Sequence, residues 1–173
     1  NLGVTLKNLG RLEEAELSCQ KAIELEPDFV KAYKNLGNIL HNFGKFVEAE
    51  TSYKRAITLQ PDFDVAHKDL GILYFEYKQL IKAAEQFKLS DSDICKCLLL
   101  KCFFVLDQQS NFYNHLDSIM DKGINNALIG SLISSAKIKY GVDKLNPFCN
   151  DPLNYVSKTN LITQCNFKDI FIK

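Results

Sequence analysis

The chain has 173 residues, enough for one domain with a sizeable core, and its 21 basic and 21 acidic residues cancel. Residues 1–90 carry 12 basic and 13 acidic groups, and residues 91–173 carry 9 and 8, so neither half has a field to draw nucleic acid or an anionic membrane. The longest apolar runs, Leu98-Leu99-Leu100 and Phe103-Phe104-Val105-Leu106, are too short to span a bilayer. The expected partners therefore exclude nucleic acid and membrane.

From the first residue onward the chain repeats itself every 34 positions. Leu-Gly pairs stand at Leu2-Gly3, Leu36-Gly37 and Leu70-Gly71, and the same step joins Ala15, Ala49 and Ala83. It also joins Ala22 to Ala56 and Pro27 to Pro61. A period of this length means stacked helix pairs. Within each pair Gly10 and Gly44 mark the tight turn, where a positive φ costs little. Pro27 and Pro61 close the second helix, because proline cannot continue the hydrogen-bond ladder. Asp28 and Asp62 follow and are expected to cap the next helix.

After residue 90 the period fades while helical patterning persists. Ser90-Asp91-Ser92-Asp93 is an N-cap cluster that opens a helix to about Asp107. Further helices are predicted over 110–122, ending at Gly123, and over 126–140, ending at Gly141. Asn146-Pro147-Phe148-Cys149-Asn150-Asp151-Pro152-Leu153 is rich in turn formers and reads as a loop or linker, with Asp151-Pro152 able to open a short helix. The predicted organisation is repeats over 1–90, the first incomplete and the third degenerate. Helical hairpins over 91–141 continue or cap them, and a linker over 142–173 leads toward a missing C-terminal domain. The chain opens without Met, within a helical pattern, so the natural N-terminus is expected upstream.

The second repeat carries Tyr33, Leu36-Gly37, Leu40, Ala49, Tyr53, Ala56 and Pro61. The first supplies Leu2-Gly3, Leu6, Ala15, Cys19, Ala22 and Pro27. The third supplies His67, Leu70-Gly71, Tyr74, Ala83 and Phe87, then departs with Ser90 and Cys95 where alanine and proline belong. This series resembles the tetratricopeptide repeat (TPR) family over roughly residues 1–90. The fold expected is all-α, a TPR-type helical-hairpin solenoid with additional degenerate C-terminal helices.

Little in the chain points to chemistry. His67-Lys68-Asp69 and His115-Leu116-Asp117 have the His-x-Asp form of an iron site. On a helix, residues two apart point about 200° away from each other, so His67 and Asp69 cannot share a metal. They fall instead at ordinary repeat positions. Cys95, Cys97 and Cys102 cluster within a predicted helix, with 95 and 102 on one face and 97 off it, which favours core packing. The six cysteines (19, 95, 97, 102, 149, 165) lack a disulfide framework and read as free buried thiols of a reducing, cytoplasmic setting. No catalytic residue, cofactor or metal is expected, and this chain by itself is not read as an enzyme.

Binding is the expected activity. Wound at about 100° per residue, Tyr33, Leu36, Gly37 and Leu40 gather on one side of residues 30–42. Lys31, Lys34, Asn35, Asn38, His41 and Asn42 gather on the other. In the family's superhelix the first helices line a concave groove, so the resemblance implies that this polar face looks into it. Asn1, Asn35 and Asp69 form a row 34 residues apart that resembles the asparagine ladder of O-linked N-acetylglucosamine transferases. An amide offers both donor and acceptor to a peptide backbone. Lys34 and Lys68 also repeat, and Lys34 with Asn38 resembles part of the carboxylate clamp of chaperone-binding TPR proteins. Ile72 and Phe75, with Val65, make the third repeat less polar, either anchoring a ligand side chain or lying under C-terminal helices.

Two functions follow. One is a protein-interaction scaffold holding a peptide or partner domain in the groove. The other is the substrate-recruiting arm of a larger enzyme, in contact with a catalytic domain absent from this chain. Residues 146–156, with Asn126-Ala127-Leu128 and Lys137-Ile138-Lys139-Tyr140-Gly141, resemble the junction preceding a 2-oxoglutarate/iron(II) oxygenase domain in bacterial TPR proteins. Glycosyltransferases also carry such arms.

Overall fold

A computed structural model describes residues 11–124, 126–142 and 144. Asn1, the Leu2-Gly3 pair, Gly10, Cys149, Cys165 and the 146–156 stretch lie outside the described residues. Among the described residues the chain is entirely helical: α1 Leu12–Leu25, α2 Val30–Asn42, α3 Phe46–Leu59, α4 Asp64–Glu76, α5 Leu80–Lys88, α6 Asp93–Val105, α7 Gln109–Asp121 and α8 Ala127–Tyr140. Packing divides the chain into two compact units, one up to Cys102 and one from Phe103.

In the first unit each helix packs on its sequence neighbour from α1 through α5, and α2 also meets α4. The repeating small residues make this stacking close. Ala15, Ala49, Ala56 and Ala83 are wholly buried, as is nearly all of Tyr53 and Phe87. Ala15, Cys19 and Ile39 form one cluster, with Leu36 and Phe43 packed against it.

The turns explain how the pairs close. Gly44 has φ +72°, and Gly44 N and Lys45 N donate to His41 O and Leu40 O. This is the left-handed C-cap that satisfies the last carbonyls of a helix. Lys78 (φ 61°) and Asp107 (φ 58°) adopt the same conformation, with Gln79 N donating to Tyr74 O and Gln108 N to Phe103 O. Gly141, φ +70°, ends α8 in the same way.

These turns show that the period does not end at residue 90. First helices begin at Val30, Asp64, Asp93 and Ala127, so the 34-residue step shortens once and then returns. The shortening falls in α5, which has 9 residues where α1 and α3 have 14. The repeat is hidden because this shift moves every later motif out of register.

One capping expectation needs correction. The N-cap positions of α2 and α4 are Phe29 and Phe63, with no side-chain cap hydrogen bond. Asp28 and Asp62 sit one residue too early, and the Asp28 carboxylate lies in solvent, 4.0 Å from Arg55. By contrast α8 is capped by a side chain, Ile129 N donating to Asn126 Oδ1 at 3.1 Å.

In the second unit Phe104, Phe112, Tyr113 and Tyr140 form an aromatic cluster with tilted and edge-on contacts. Lys139 bridges to the turn before α7: its ammonium is 2.8 Å from Asp107 Oδ1 and donates to Phe104 O at 3.2 Å.

Candidate functional site

Helices α2 and α4 run as neighbouring first helices and set the candidate residues side by side. Lys31 is exposed; Lys34, Asn38, His41, Lys68, Asp69, Ile72 and Phe75 are half-buried. Asn35 is not on the solvent face: it is 6 % exposed and shares the buried arc with Ala32, Gly37, Ile39 and Leu40. The arc is wider than the sequence pattern implied because α2 packs against α1, α3 and α4 together. The row of Asn1, Asn35 and Asp69 therefore contributes Asp69 as its one half-exposed member among the described residues.

Several of these side chains are joined. His41 Nε2 lies 2.7 Å from Glu76 Oε2, tying α2 to α4. Tyr53 on α3 donates its hydroxyl to Asn38 Oδ1 at 2.6 Å. Lys68 Nζ is 3.6 Å from Asp69 Oδ1. The ammonium of Lys101, from α6, stands 5.3 Å over the Phe75 ring and covers it with a cation–π contact. Lys31 and Lys34 make no ion pair among the described residues.

Burial raises the Tyr53 hydroxyl pKa, and the nearby Asp69 and Glu76 carboxylates raise it further. The group therefore remains a proton donor. Cys19 is also raised by burial, with Lys34 acting in the opposite sense. Glu76 and the Tyr53 hydroxyl escaped the sequence reading. Glu76 is one position off the repeat step from His41. The Tyr53 position holds Cys19 and Phe87 in the neighbouring repeats, and that departure was the available signal.

His67 is occupied structurally. Its Nε2 lies 2.9 Å from the carbonyl of Pro61, which only accepts, so Nε2 donates there; Nδ1 lies 2.9 Å from Gln86 Oε1. No group of three His, Cys, Asp or Glu side chains among the described residues is placed to hold a metal ion. Cys19, Cys95, Cys97 and Cys102 are free and buried. Cys97 is buried along with the other two of α6 because that helix is covered on more than one face.

A model of the tetratricopeptide repeat family matches residues 1–29 and 30–63. Over residues 1–63 the chain carries tetratricopeptide repeats. Its fold is shared by solved structures at low identity. MamA is 15% identical with TM-score 0.72, over 82% of this chain and 85% of that one. The pilF protein of Pseudomonas aeruginosa is 20% identical with TM-score 0.67, over 80% of this chain and 66% of that one. YrrB, described as a TPR protein with an unusual peptide-binding site, is 18% identical with TM-score 0.62, over 71% of this chain and 66% of that one. No curated protein sequence matches the chain. As in other TPR proteins, the repeats form an interaction scaffold for proteins or peptides. No helix among the described residues is long and apolar enough to cross a membrane.

Proposed function

We propose that this TPR protein binds an extended peptide, or a peptide-like segment of a partner domain, along the groove face of α2 and α4. The observation that carries this reading is the state of Lys31 and Lys34. Both stand on the first helix of the second repeat without an ion pair among the described residues. Asn38 lies one turn beyond Lys34 on the same face. Lys68 continues the basic row on α4, and Ile72 offers an apolar neighbour. His41 and Phe75 act less directly, since Glu76 and Lys101 already engage them. The charge favours a ligand with carboxylate groups beside apolar side chains. The peptide-binding site named for YrrB, a structure of the same fold, supports the peptide as ligand class.

Selection from a random hexapeptide library on the immobilised chain tests this. Peptides rich in Asp or Glu are expected, with affinity falling roughly tenfold in Lys34→Ala combined with Lys68→Ala, the range of two solvent-accessible ion pairs. Unchanged affinity in that double variant would remove the groove assignment.

A second reading makes the repeats the recruiting arm of a larger enzyme, a 2-oxoglutarate/iron oxygenase or a glycosyltransferase. The sequence of residues 146–156 motivates it. The reading frame beyond Lys173 tests it: a His-x-Asp on a strand pattern with a distal His supports an oxygenase, and an immediate stop rules the arm out.

A further inference from the structure

The outer faces of the second helices change character from repeat to repeat. Glu13, Val47 and Ile81 stand 34 residues apart, so a position that is acidic in α1 is apolar in α3 and α5. The next position runs Glu14, Glu48, Lys82. Helix α1 holds four glutamates against one lysine, and α3 holds two acids and two bases. Helix α5 and the turn before it hold Lys78, Lys82 and Lys88 against Glu85. Exposed apolar groups gather at the basic end. Val47 and Ile81 are 67% and 64% exposed. Tyr77, 43% exposed, links them: its ring centroid lies 4.3 Å from that of Phe46, the chain neighbour of Val47, and Ile81 follows four residues on. Single exposed apolar residues are ordinary, whereas three spread over two repeats make a patch. Lys78 and Lys82 flank it, both exposed and without an ion pair among the described residues.

The complementary surface is on the same chain. At about 100° per residue, Glu13, Leu17, Gln20 and Glu24 fall within about 60° of one another, a single exposed stripe on α1. Leu17 is 63% exposed there, between two glutamates that make no ion pair among the described residues. We propose that a second copy of this chain docks on the patch: Leu17 of one copy enters between Val47, Tyr77 and Ile81 of the other, with Glu13 and Glu24 beside Lys78 and Lys82. Charge complementarity selects this occupant. Pairing the patch with itself would bring the unpaired lysines of two copies together, and pairing the stripe with itself would do the same to its glutamates. The two surfaces differ, so the contact runs head to tail and each docked copy still offers one surface to a further copy. The groove residues stand on first helices and take no part.

The test is sedimentation equilibrium of the full chain over a concentration series into the high-micromolar range, the strength expected of so small a contact. Wild type should self-associate, and roughly tenfold more weakly at about 1 M salt, where the screening length is about 3 Å, than at about 0.1 M. Lys78→Glu with Lys82→Glu in one chain, and Glu13→Lys with Glu24→Lys in another, should each weaken self-association roughly tenfold or more. An equimolar mixture of the two should associate like wild type, because the reversed patch of one meets the reversed stripe of the other. Leu17→Ser and Ile81→Ser should each cost roughly tenfold by removing apolar burial at the contact. All of these side chains are exposed, so the helices stay intact. A wild-type chain that stays monomeric throughout overturns the proposal, as does a mixture of the two reversed chains that stays monomeric. The Glu13 and Glu24 double variant associating alone as strongly as wild type would also overturn it, marking a symmetric patch-to-patch contact instead. No variant touches Lys34 or Lys68, so the groove reading keeps its own test.

Discussion

A Cβ on Gly37 would stand 2.6 Å from Cε1 of Tyr53. The Leu-Gly pair of this repeat exists because a tyrosine ring from the partner helix occupies the place of a side chain. Gly71 stands in the same relation to Phe87, also at 2.6 Å.

Gly37→Ala and Gly71→Ala should therefore destabilise the chain despite the better helix propensity of alanine. The propensity gain is about 1 kcal/mol. Forcing a methyl into a filled core costs about 1–3 kcal/mol. Both rings are almost fully buried and have nowhere to go. Urea unfolding followed by circular dichroism should show a lower midpoint for each. A raised midpoint would mean that the rings move aside freely.

Lys78 holds a left-handed turn that glycine would adopt without strain. Such a conformation costs a non-glycine residue about 1–2 kcal/mol. Glycine in turn loses more freedom on folding, which cancels part of the gain. Lys78→Gly should raise stability by about 0.5–1 kcal/mol, read as a higher unfolding midpoint.

Asp107 has the same backbone conformation but a different balance, because it also holds Lys139 at 2.8 Å. Hydrogen bonds from Lys139 and Tyr140, with the Lys139 charge, keep the Asp107 carboxyl below the usual carboxylate range. A group lowered in the folded state stabilises above its unfolded pKa, and this contribution disappears as pH falls through the folded value. Wild type should thus lose stability over that acidic window faster than Asp107→Asn. Thermal melts from pH 7 to pH 2 would reveal the difference as converging melting temperatures. Parallel curves would show that the pair contributes nothing.

The described thiols should be inert in the native protein. Burial pushes the Cys102 thiol up to about 12 and raises Cys19 and Cys95 as well. The nucleophile is the thiolate, which is scarce at pH 8 for such groups. Site-resolved mass spectrometry after iodoacetamide should find Cys19, Cys95 and Cys102 modified only when urea is present. Fast labelling of any one in the native state would show that its helix opens.

His67→Leu should cost about 1–3 kcal/mol, because it strands the Pro61 carbonyl and the Gln86 amide. Added zinc should leave the melting temperature of wild type unchanged. A zinc-dependent rise that vanishes in His67→Leu would contradict the structural role.

Much of the fold is legible in the sequence. The 34-residue step needed only alanine, glycine and aromatic residues in register, since each is demanded by a single close contact between two helices. The endings of α7 and α8 were also visible, because Gly123 and Gly141 carry the positive φ that closes a helix. The helices past residue 90 were predicted as well, but their return to the 34-residue step was not visible. Lys78 and Asp107 take the left-handed turn without being glycine, and the shortened α5 shifts the register between them.

The candidate face divides the same way. Residue type and spacing by themselves placed Lys31, Lys34, Asn38 and Lys68 on first helices, with Lys34 and Lys68 one repeat apart. Tertiary structure alone decided which of the polar residues remain available. Asn35 is buried because three helices converge on α2, and His41 is taken by Glu76 from the next repeat. Asn38 Oδ1 accepts a hydroxyl from α3, fifteen residues away in the chain and 2.6 Å away in space. A helical wheel assigns directions about one axis, and it carries no information on neighbouring helices that approach from several sides.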